Sequence, residues 1–413
     1  MKKRILLIGY NYFPEPTGIG KYNGEMMGWL AQAGHACSVL TTYPYYPYWK
    51  VQEPYANKRF SFTTETQVLD SGASVRVHRV PMYVPEKPSG LKRIIQDFTF
   101  TLTAFVRLLG LFTRTKFDCV IVVAPSFQFG LLSVLCKKVW GATFVYHIQD
   151  LQIEAARDLR MIRSERAINA LFAIEKFIFR QADFITTISG GMVDKVREKA
   201  NKEVLLFPNW TDVDVFSPSP QRGAIKQSFG FDPTDQVVLY SGAIGEKQGL
   251  EVILRVATEF AGQPRVKFLI CGSGPYKQKL EELAGELKLE NVLFFPLQPS
   301  ERFNEFLNLA DVHLVIQKAN ASDLVMPSKL TTILSVGGVA LITANPGAGL
   351  YELVHRNKMG ILVEAESLSA LSAGLRQALN QDNAEIAANA RAYAEQHLSV
   401  KSVMNAFAAT VLR

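Results

Sequence analysis

Cysteine, histidine and blocks of like charge are scarce in this chain, and each scarcity excludes a class of site. The 413 residues include four cysteines and six histidines. No cysteines form a C-x-x-C pair and no histidines an H-x-x-x-H pair, which leaves neither a recognisable metal site nor a disulfide framework. No run of five lysines or arginines and no nucleic-acid-binding motif occurs. We therefore expect buried thiols in a reducing compartment, no metal and no nucleic-acid partner.

Continuous hydrophobic segments are also short. Cys119–Cys136 has no charged residue, but a proline, a glutamine and a glycine interrupt it, which predicts a strand, a turn and a helix. Leu91–Lys116 mixes basic and bulky apolar side chains at helical density, as in a helix that lies flat on an anionic membrane or a core helix with exposed basic ends. The N-terminal apolar run of about five residues is too short for a signal peptide, which predicts a cytosolic location.

The bulk composition is that of a globular protein with a basic surface. Hydrophobic residues make up 48% and charged residues 20% of the chain, and the formal net charge is +7. A length of 413 residues exceeds one typical core and favours two domains. The positive excess suits anionic partners, such as nucleotide-linked substrates or acidic lipid headgroups, although a basic surface can also serve solubility alone.

Two glycine-rich turns each follow a short apolar run and precede a helical pattern. Arg4–Gly9 leads into Thr17–Gly20 with a helix expected from Tyr22, and Val237–Ser241 leads into Gly242–Gly249. Glycine lets the backbone approach a phosphate, and a helix N-terminus offers free N–H groups and positive potential. Short apolar runs alternate with amphipathic stretches throughout, which is typical of parallel α/β units. We predict two Rossmann-like, doubly wound domains that face a cleft for an activated, phosphorylated small molecule.

Proline, aspartate and serine cluster at Asn209–Pro220 and predict the domain boundary there. The expected domains are residues 1–210 and 211–395, with a C-terminal helix at 396–413 that returns to the first domain. A second unusual segment, Thr41–Pro54, contains five aromatic residues and three prolines. This aromatic loop is suited to contact sugar rings or lipid tails, and the alternative is a loop packed on its own domain.

Several motifs resemble those of the retaining nucleotide-sugar glycosyltransferases of family 4. They occur in the expected order from residue 5 to about residue 395 and lie at Pro208–Pro218, Gly242–Gly249, Cys271–Pro275, Ala310–Val312 and Met326–Leu330. A narrower resemblance, to the glycosyltransferases of bacterial exopolysaccharide (colanic acid) biosynthesis, is carried by Asn11–Tyr22, Tyr45–Pro47, His147–Asp150, Phe207–Trp210 and Ile244–Leu250.

The resemblance implies a GT-B fold and transfer of a sugar from a GDP- or UDP-linked donor, with GDP-fucose suggested. It implies a lipid-diphosphate-linked saccharide acceptor bound by the first domain, a peripheral position on the cytoplasmic face of the inner membrane, and no cofactor. A retaining front-face displacement needs neither a metal nor a protein nucleophile, because the leaving phosphate helps to deprotonate the acceptor.

Positive charge is the chief chemical requirement, because breaking the sugar–phosphate bond leaves a diphosphate with growing negative charge. Lys247 is the best candidate, as a compact cation in a glycine-rich turn at the mouth of a helix. Lys329 follows Pro327 and Ser328 at another apparent helix start, where ammonium, hydroxyl and N–H groups would meet the phosphate. The alternative for each lysine is an ordinary solvated side chain.

Other donor contacts are expected from the glycine turns, from the end of the strand near residue 295 and from the helix start near 328. The predicted donor-binding residues are Gly18, Gly20, Gly245, Glu246, Gly272, Gly274, Phe295, Pro296, Leu297, Pro327, Ser328 and Thr331.

His147 and Asp150 follow the fifth strand of the first domain, where the resemblance implies a contact with the donor sugar through one of the two. The alternative for His147 is a satisfied core histidine. Glu15 precedes the first glycine turn and is expected either to face the acceptor or to be a solvated loop carboxylate. The predicted acceptor residues are Glu15, Lys21, Tyr45 and Tyr46.

Two departures from the family pattern affect the donor site. Ala243 stands where an arginine is expected, and Leu324 and Thr332 stand where paired glutamates are expected, the second of which binds ribose. Asp323, Ser328 or Thr331 are the candidate replacements. Two other functions stay open: a UDP-sugar 2-epimerase on the same scaffold, and a non-catalytic sugar-nucleotide-binding scaffold.

Overall fold

The computed structural model describes residues 2–124, 126–158, 164–317 and 327–413, without the side chains of residues 155, 156, 158 and 247. The chain forms two compact units, each built on one β-sheet. The first unit comprises Met1–Ile188, Val193–Phe207 and Met404–Arg413, and the second comprises Ser189–Met192 and Pro208–Val403.

The first unit has an eight-stranded sheet that is parallel except at one edge. Its strands are β1 (Arg4–Ile8), β2 (Ala36–Thr41), β3 (Thr63–Val68), β4 (Ser74–Arg79), β5 (Cys119–Ala124), β6 (Thr143–Ile148), β7 (Phe184–Thr187) and β8 (Val204–Leu206). They lie in the order β3-β4-β2-β1-β5-β6-β7-β8, and β3 pairs antiparallel with β4. The helices of this half are α1 (Gly18–Gln32), α2 (Gly90–Phe112), α3 (Phe129–Trp140), α4 (Gln152–Asp158), α5 (Glu165–Gln181) and α6 (Gly190–Ala200).

The second unit has a six-stranded, fully parallel sheet. Its strands are β9 (Gln236–Ser241), β10 (Val266–Cys271), β11 (Val292–Phe295), β12 (Val312–Val315), β13 (Ala340–Thr343) and β14 (Ile361–Val363), in the order β11-β10-β9-β12-β13-β14. The helices are α7 (Arg222–Ser228), α8 (Glu251–Thr258), α9 (Lys277–Glu286), α10 (Ser300–Asn308), α11 (Ser328–Ser335), α12 (Gly349–Asn357), α13 (Leu368–Asn380), α14 (Ala384–Tyr393) and α15 (Val400–Val411). From Met404 onward α15 belongs to the first unit, where Phe407 stacks on Phe207.

The parallel strands form because their apolar runs are covered on both faces. In β9, Val238 and Tyr240 pack with Leu254 of α8, whereas Val237 and Leu239 pack in a separate cluster with helices α7 and α10. Successive strand residues point to opposite faces, so a strand buried on both sides is continuously apolar. This arrangement confirms the predicted Rossmann-like, doubly wound α/β architecture of both halves.

Three expectations about local structure need correction. Helix α1 begins at Gly18 and not at Tyr22, so both glycines of the first turn lie within the helix itself. The antiparallel strand β3 was not predicted, because its sequence TTETQV is polar and alternates between half-buried and exposed positions. Helices α4, α7, α12 and α14 were also not predicted.

Helix α2 is apolar on both its faces. Phe100, Ala104 and Leu108 are fully buried, whereas Phe98 is 63% and Leu102 52% exposed. Among the described residues, α2 is the helix that is long and apolar enough, by length and composition, to cross a membrane, and a third of its most apolar stretch is buried.

Candidate functional site

The second unit brings its two glycine turns together where the strand order reverses. From β9 the chain first builds β10 and β11 on one side and then β12, β13 and β14 on the other. The carboxyl ends of parallel strands at such a switch point form the usual ligand crevice of open α/β sheets. Gly242–Gly245 follows β9 and Gly272–Gly274 follows β10, so both turns lie at this edge.

Close packing of the two turns explains their glycines. A Cβ on Gly272 would lie 1.9 Å from the carbonyl oxygen of Gly242, and a Cβ on Gly274 would lie 2.0 Å from that of Ile244. The N–H of Ile244 also donates to the carbonyl of Ser273 at 3.0 Å. These two glycines are therefore required by backbone-on-backbone contact, independently of any ligand.

Lys329 lies beside the first of these turns. Its Nζ is 3.6 Å from the centre of the Tyr240 ring, and a Cβ on Gly242 would lie 2.7 Å from the same Nζ. Burial lowers the pKa of Lys329 to about 7. The predicted phosphate-binding lysine thus adjoins the predicted phosphate-binding turn, within one unit and at the switch point.

The start of α11 carries the predicted donor-binding residues that neighbour Lys329 in sequence. Pro327 precedes the helix without a side-chain cap, and Ser328 is exposed in the first turn. The hydroxyl of Thr331 is buried and donates to the Ser328 carbonyl at 2.7 Å, and that of Thr332 donates to the Lys329 carbonyl at 3.0 Å. Both threonine protons are therefore used within the helix, and the Leu330 N–H donates to the Pro327 carbonyl at 2.8 Å. The groups at this helix start that remain to meet a ligand are the Ser328 hydroxyl and the N–H groups of Ser328 and Lys329.

The remaining predicted donor residues differ in exposure. Gly245 precedes a single 3-10 turn at Glu246–Gln248, and Glu246 is exposed. Phe295 is half-buried, Pro296 is exposed and Leu297 is 65% exposed at the end of β11. The Pro296 carbonyl accepts from the Cys271 thiol and from the side chain of Gln298. The side chain of Lys247, the candidate replacement Asp323 and residue Leu324 lie outside the part of the chain that the structure describes.

The first unit has a corresponding turn between β1 and α1. Gly18 has a φ of +62°, a conformation that favours glycine, and lies next to the ring of Tyr46. Glu15 is buried, and its Oε1 accepts from the backbone N–H groups of Tyr45 and Tyr46, both at 3.0 Å. Its Oε2 accepts from the Asn11 side chain at 2.8 Å. Because both oxygens are engaged internally, the carboxylate holds the glycine turn to the aromatic loop.

Arg79 holds the same two segments from the end of β4, and sequence reasoning missed it. Its Nη2 donates to the Phe13 carbonyl at 3.0 Å and its Nη1 to the Thr42 carbonyl at 2.9 Å. Its Nε pairs with Glu65 of β3 at 2.6 Å, and the guanidinium is 1% exposed. The strand reads SVRVHR, so Arg79 is one of four polar residues in β4 and only its place at the end of the strand distinguished it.

His147 is a satisfied core side chain. It is 3% exposed; Nδ1 lies 2.8 Å from the Thr186 hydroxyl, and Nε2 lies 2.8 Å from the Gln149 side-chain amide. Burial lowers its pKa to about 3, so the imidazole is neutral. Asp150 is exposed just beyond β6. Gln149 and Asp150 are more exposed than His147 at the carboxyl end of β6.

The other predicted acceptor residues lie near Glu15 but are not equally accessible. Tyr45 is 2% exposed, so its ring cannot serve as an open platform, whereas Tyr46 is half-buried and Tyr48 is 70% exposed. The Lys21 ammonium pairs with Glu25 of its own helix at 3.0 Å. The accessible aromatic surface of the loop is therefore smaller than the sequence suggested.

A second buried carboxylate, Asp97, faces inward from α2. Burial raises its pKa to about 6, and the polar side chains of Ser126 and Tyr10 and the guanidinium of Arg93 partly offset that shift. Tyr10 follows β1 and Ser126 follows β5, so Asp97 anchors α2 beside the carboxyl edge of the first sheet.

The described residues contain no group of three or more His, Cys, Asp or Glu side chains arranged to hold a metal ion. All four cysteines are buried as free thiols, as expected.

Each half of the chain matches a known protein family. Residues 17–210 match the family model described as a glycosyl transferase 4-like domain, and residues 221–397 match that of glycosyl transferases group 1. WcaI of Escherichia coli (strain K12), a glycosyl transferase named for colanic acid biosynthesis, is 38% identical over 412 residues and 98% of each chain.

Two more distant similarities extend over most of the chain. A GDP-mannose-dependent phosphatidylinositol monomannoside mannosyltransferase of Mycolicibacterium smegmatis is 23% identical over 89% of this chain and 87% of its own. Among solved structures, sucrose-phosphate synthase from Thermosynechococcus elongatus superposes with a TM-score of 0.74 at 16% identity, over 99% of this chain and 98% of its own. The latter similarity supports the predicted GT-B fold.

Proposed function

Since the chain belongs to the glycosyltransferases of the 4-like and group 1 families, we propose that it transfers a sugar from a nucleotide sugar to a lipid-linked or glycan acceptor in the assembly of a bacterial exopolysaccharide. The polysaccharide is of the colanic-acid kind, which the name and 38% identity of WcaI support. Fucose carried by GDP is the first donor to test, and the GDP-mannose dependence in the name of the mycobacterial relative supports a guanine nucleotide.

One observation carries the proposed chemistry: the Lys329 ammonium lies beside the Gly242–Gly245 turn at the switch point of the second sheet. A departing nucleoside diphosphate gains negative charge, and that charge favours the protonated form of Lys329. The resulting ammonium and the helix N–H groups stabilise the leaving group as its charge develops. Lys247, two residues beyond that turn, is proposed as the second cation.

We propose that transfer retains the configuration of the sugar. The bond between the anomeric carbon and the donor phosphate breaks, and the acceptor oxygen forms the new glycosidic bond on the same face. A phosphate oxygen of the leaving group takes the acceptor proton. Two acid–base candidates of the first unit support this assignment, because the hydrogen-bonding atoms of Glu15 and His147 are engaged with protein partners. The diphosphate-binding cations take the place of a metal.

We propose that the enzyme is peripheral and that α2 lies on the cytoplasmic face of the inner membrane. The exposed face of α2 carries apolar side chains, of which Leu91 is 70% and Phe98 63% exposed, and Lys92 is exposed at its start. Basic plus apolar side chains on one face suit an anionic lipid surface. A lipid-diphosphate-linked acceptor would then be presented at the membrane beside the first unit.

The test is transfer with defined substrates. The purified protein is incubated with GDP-fucose, GDP-mannose, UDP-glucose or UDP-GlcNAc and a lipid-diphosphate-linked saccharide in vesicles. We expect nucleotide release matched by labelled lipid product from one donor, retained anomeric configuration by NMR, and an unchanged rate in EDTA. Inversion or loss of activity in EDTA contradicts the mechanism. Epimerisation of UDP-GlcNAc without acceptor, or tight nucleotide binding without transfer, contradicts the function.

A further inference from the structure

The Lys329 ammonium rests on the ring of Tyr240, a residue to which the transfer chemistry gives no role. The two groups come from different elements, Tyr240 from β9 and Lys329 from the first turn of α11, and Nζ lies 3.6 Å from the ring centre. Across the described ranges, no carboxylate forms an ion pair with this ammonium. The electron-rich ring face is therefore the group that holds the charge in place, and such contacts strengthen when water is excluded. Tyr240 is 1% exposed.

The hydroxyl of Tyr240 holds a second component of the same site. It donates to the carbonyl of Ala243 at 2.8 Å, in the middle of the Gly242–Gly245 turn. Gly242 has a φ of +154° and leaves the space that the Lys329 side chain occupies. Ring and hydroxyl thus fix the ammonium and the turn relative to each other from one rigid, buried strand position.

We propose that Tyr240 is a positioning residue of the donor site, whose ring holds the Lys329 ammonium beside the Gly242–Gly245 turn until a nucleoside diphosphate takes over the contact. The inference rests on the proposed function, because a nucleoside diphosphate is the anion it requires. A free lysine side chain loses rotamer freedom when it binds a ligand, whereas one already held on a ring has lost that freedom beforehand. A charge-assisted contact with phosphate is stronger than the ring contact, so the ammonium can transfer to the diphosphate.

The test is a double-mutant cycle read by calorimetric titration of GDP and of UDP. Tyr240→Leu removes the ring and is expected to weaken binding of the donor nucleotide up to about tenfold, because the ligand itself must then order the Lys329 side chain. In a Lys329→Met background, Tyr240→Leu is expected to weaken nucleotide binding by less than about twofold, because the effects of coupled residues are non-additive. Tyr240→Phe keeps the ring and should bind within about threefold of wild type, since one neutral hydrogen bond is lost.

A matched control separates positioning from loss of core packing. Phe268→Leu removes a fully buried ring from the neighbouring strand β10, in the same hydrophobic cluster, and should lower the melting temperature without weakening nucleotide binding. Additive losses in the cycle, or a Tyr240→Phe variant as weak as Tyr240→Leu, would overturn the role of Tyr240 alone. A wild-type protein that binds neither GDP nor UDP would overturn the proposed donor class and this inference with it.

Discussion

The Glu15 carboxylate fills the space that a side chain at position 20 would need: a Cβ on Gly20 would lie 2.4 Å from its Oε2 atom. Glycine at position 20 is therefore explained by a protein contact as well as by the suggested approach of a phosphate. The same carboxylate accepts the N–H groups of Tyr45 and Tyr46, so one buried acid connects the start of α1 to the aromatic loop.

This burial predicts a specific dependence of stability on pH. Loss of solvent raises the pKa of Glu15 from 4.5 to about 7, although the N–H groups of Tyr46 and Tyr45 and the Asn11 amide oppose the shift. Between these values the folded protein binds a proton that the unfolded chain has released. The stability associated with Glu15 is thus fully present below about pH 4.5 and is lost as the pH rises to about 7.

Glu15→Gln, a neutral isostere, removes that titration. We expect the melting temperature of the wild type to fall relative to that of Glu15→Gln as the pH rises through this window, with both followed by thermal unfolding from pH 4 to 8. Parallel curves for the two proteins would show that Glu15 titrates normally.

The contact between the two glycine turns of the second unit predicts a large effect of one methyl group. In Gly272→Ala the new Cβ would lie 1.9 Å from the Gly242 carbonyl oxygen, so the turns must separate. We expect a loss of about 1–3 kcal/mol in the free energy of unfolding and weaker nucleotide binding. Gly285→Ala in α9 is the control, since no atom lies within 4 Å of the new Cβ and alanine favours a helix. Equal stability of the two variants would refute close packing of the turns.

Elements with continuous apolar runs could be predicted from sequence, and those without them could not. Strand β5 is buried along its whole length, and its sequence CVIVVA contains no polar side chain. Strand β3 lies at the edge of the same sheet, needs only half its side chains inside, and offers no such run. Burial on both faces therefore decides which strands are visible in a sequence.

The structure brings the predicted glycine turn and Lys329 together, but the internal partners of the other polar residues could not be predicted from sequence. Glu15 bonds to Tyr45, thirty residues away, and His147 to Thr186, thirty-nine residues away. Such pairs depend on which loops meet at the edge of the sheet, and no local spacing encodes them. For that reason the sequence alone suggested that the side chains of Glu15 and His147 were free to contact a substrate.

The exposed face of α2 predicts binding to anionic vesicles. Phe98 and Leu102 are 63% and 52% exposed and lie one turn apart. Phe98→Asp with Leu102→Asp adds two negative charges to that face, so we expect loss of cosedimentation with vesicles containing anionic lipid and retained nucleotide binding. Val139→Asp is the matched control, because Val139 is a 50% exposed apolar residue of α3 in the same unit. Unchanged cosedimentation of the double variant would remove α2 from the membrane contact.

Lys247 occupies the turn between β9 and α8, four residues after Ala243, the position where the family pattern has an arginine. If Ala243 removes one cation from the site, Lys247 and Lys329 must together stabilise the negative charge on the leaving diphosphate. Loss of one preorganised charge contact from a transition state costs about 10²–10³ in turnover, so Lys247→Ala is expected to lower kcat by at least two orders of magnitude with an unchanged melting temperature. Lys267→Ala, a lysine at the amino end of β10, should retain wild-type turnover. Near-normal transfer by folded Lys247→Ala would leave Lys329 and the helix N–H groups as the whole of the positive charge, and the two-cation mechanism would be wrong.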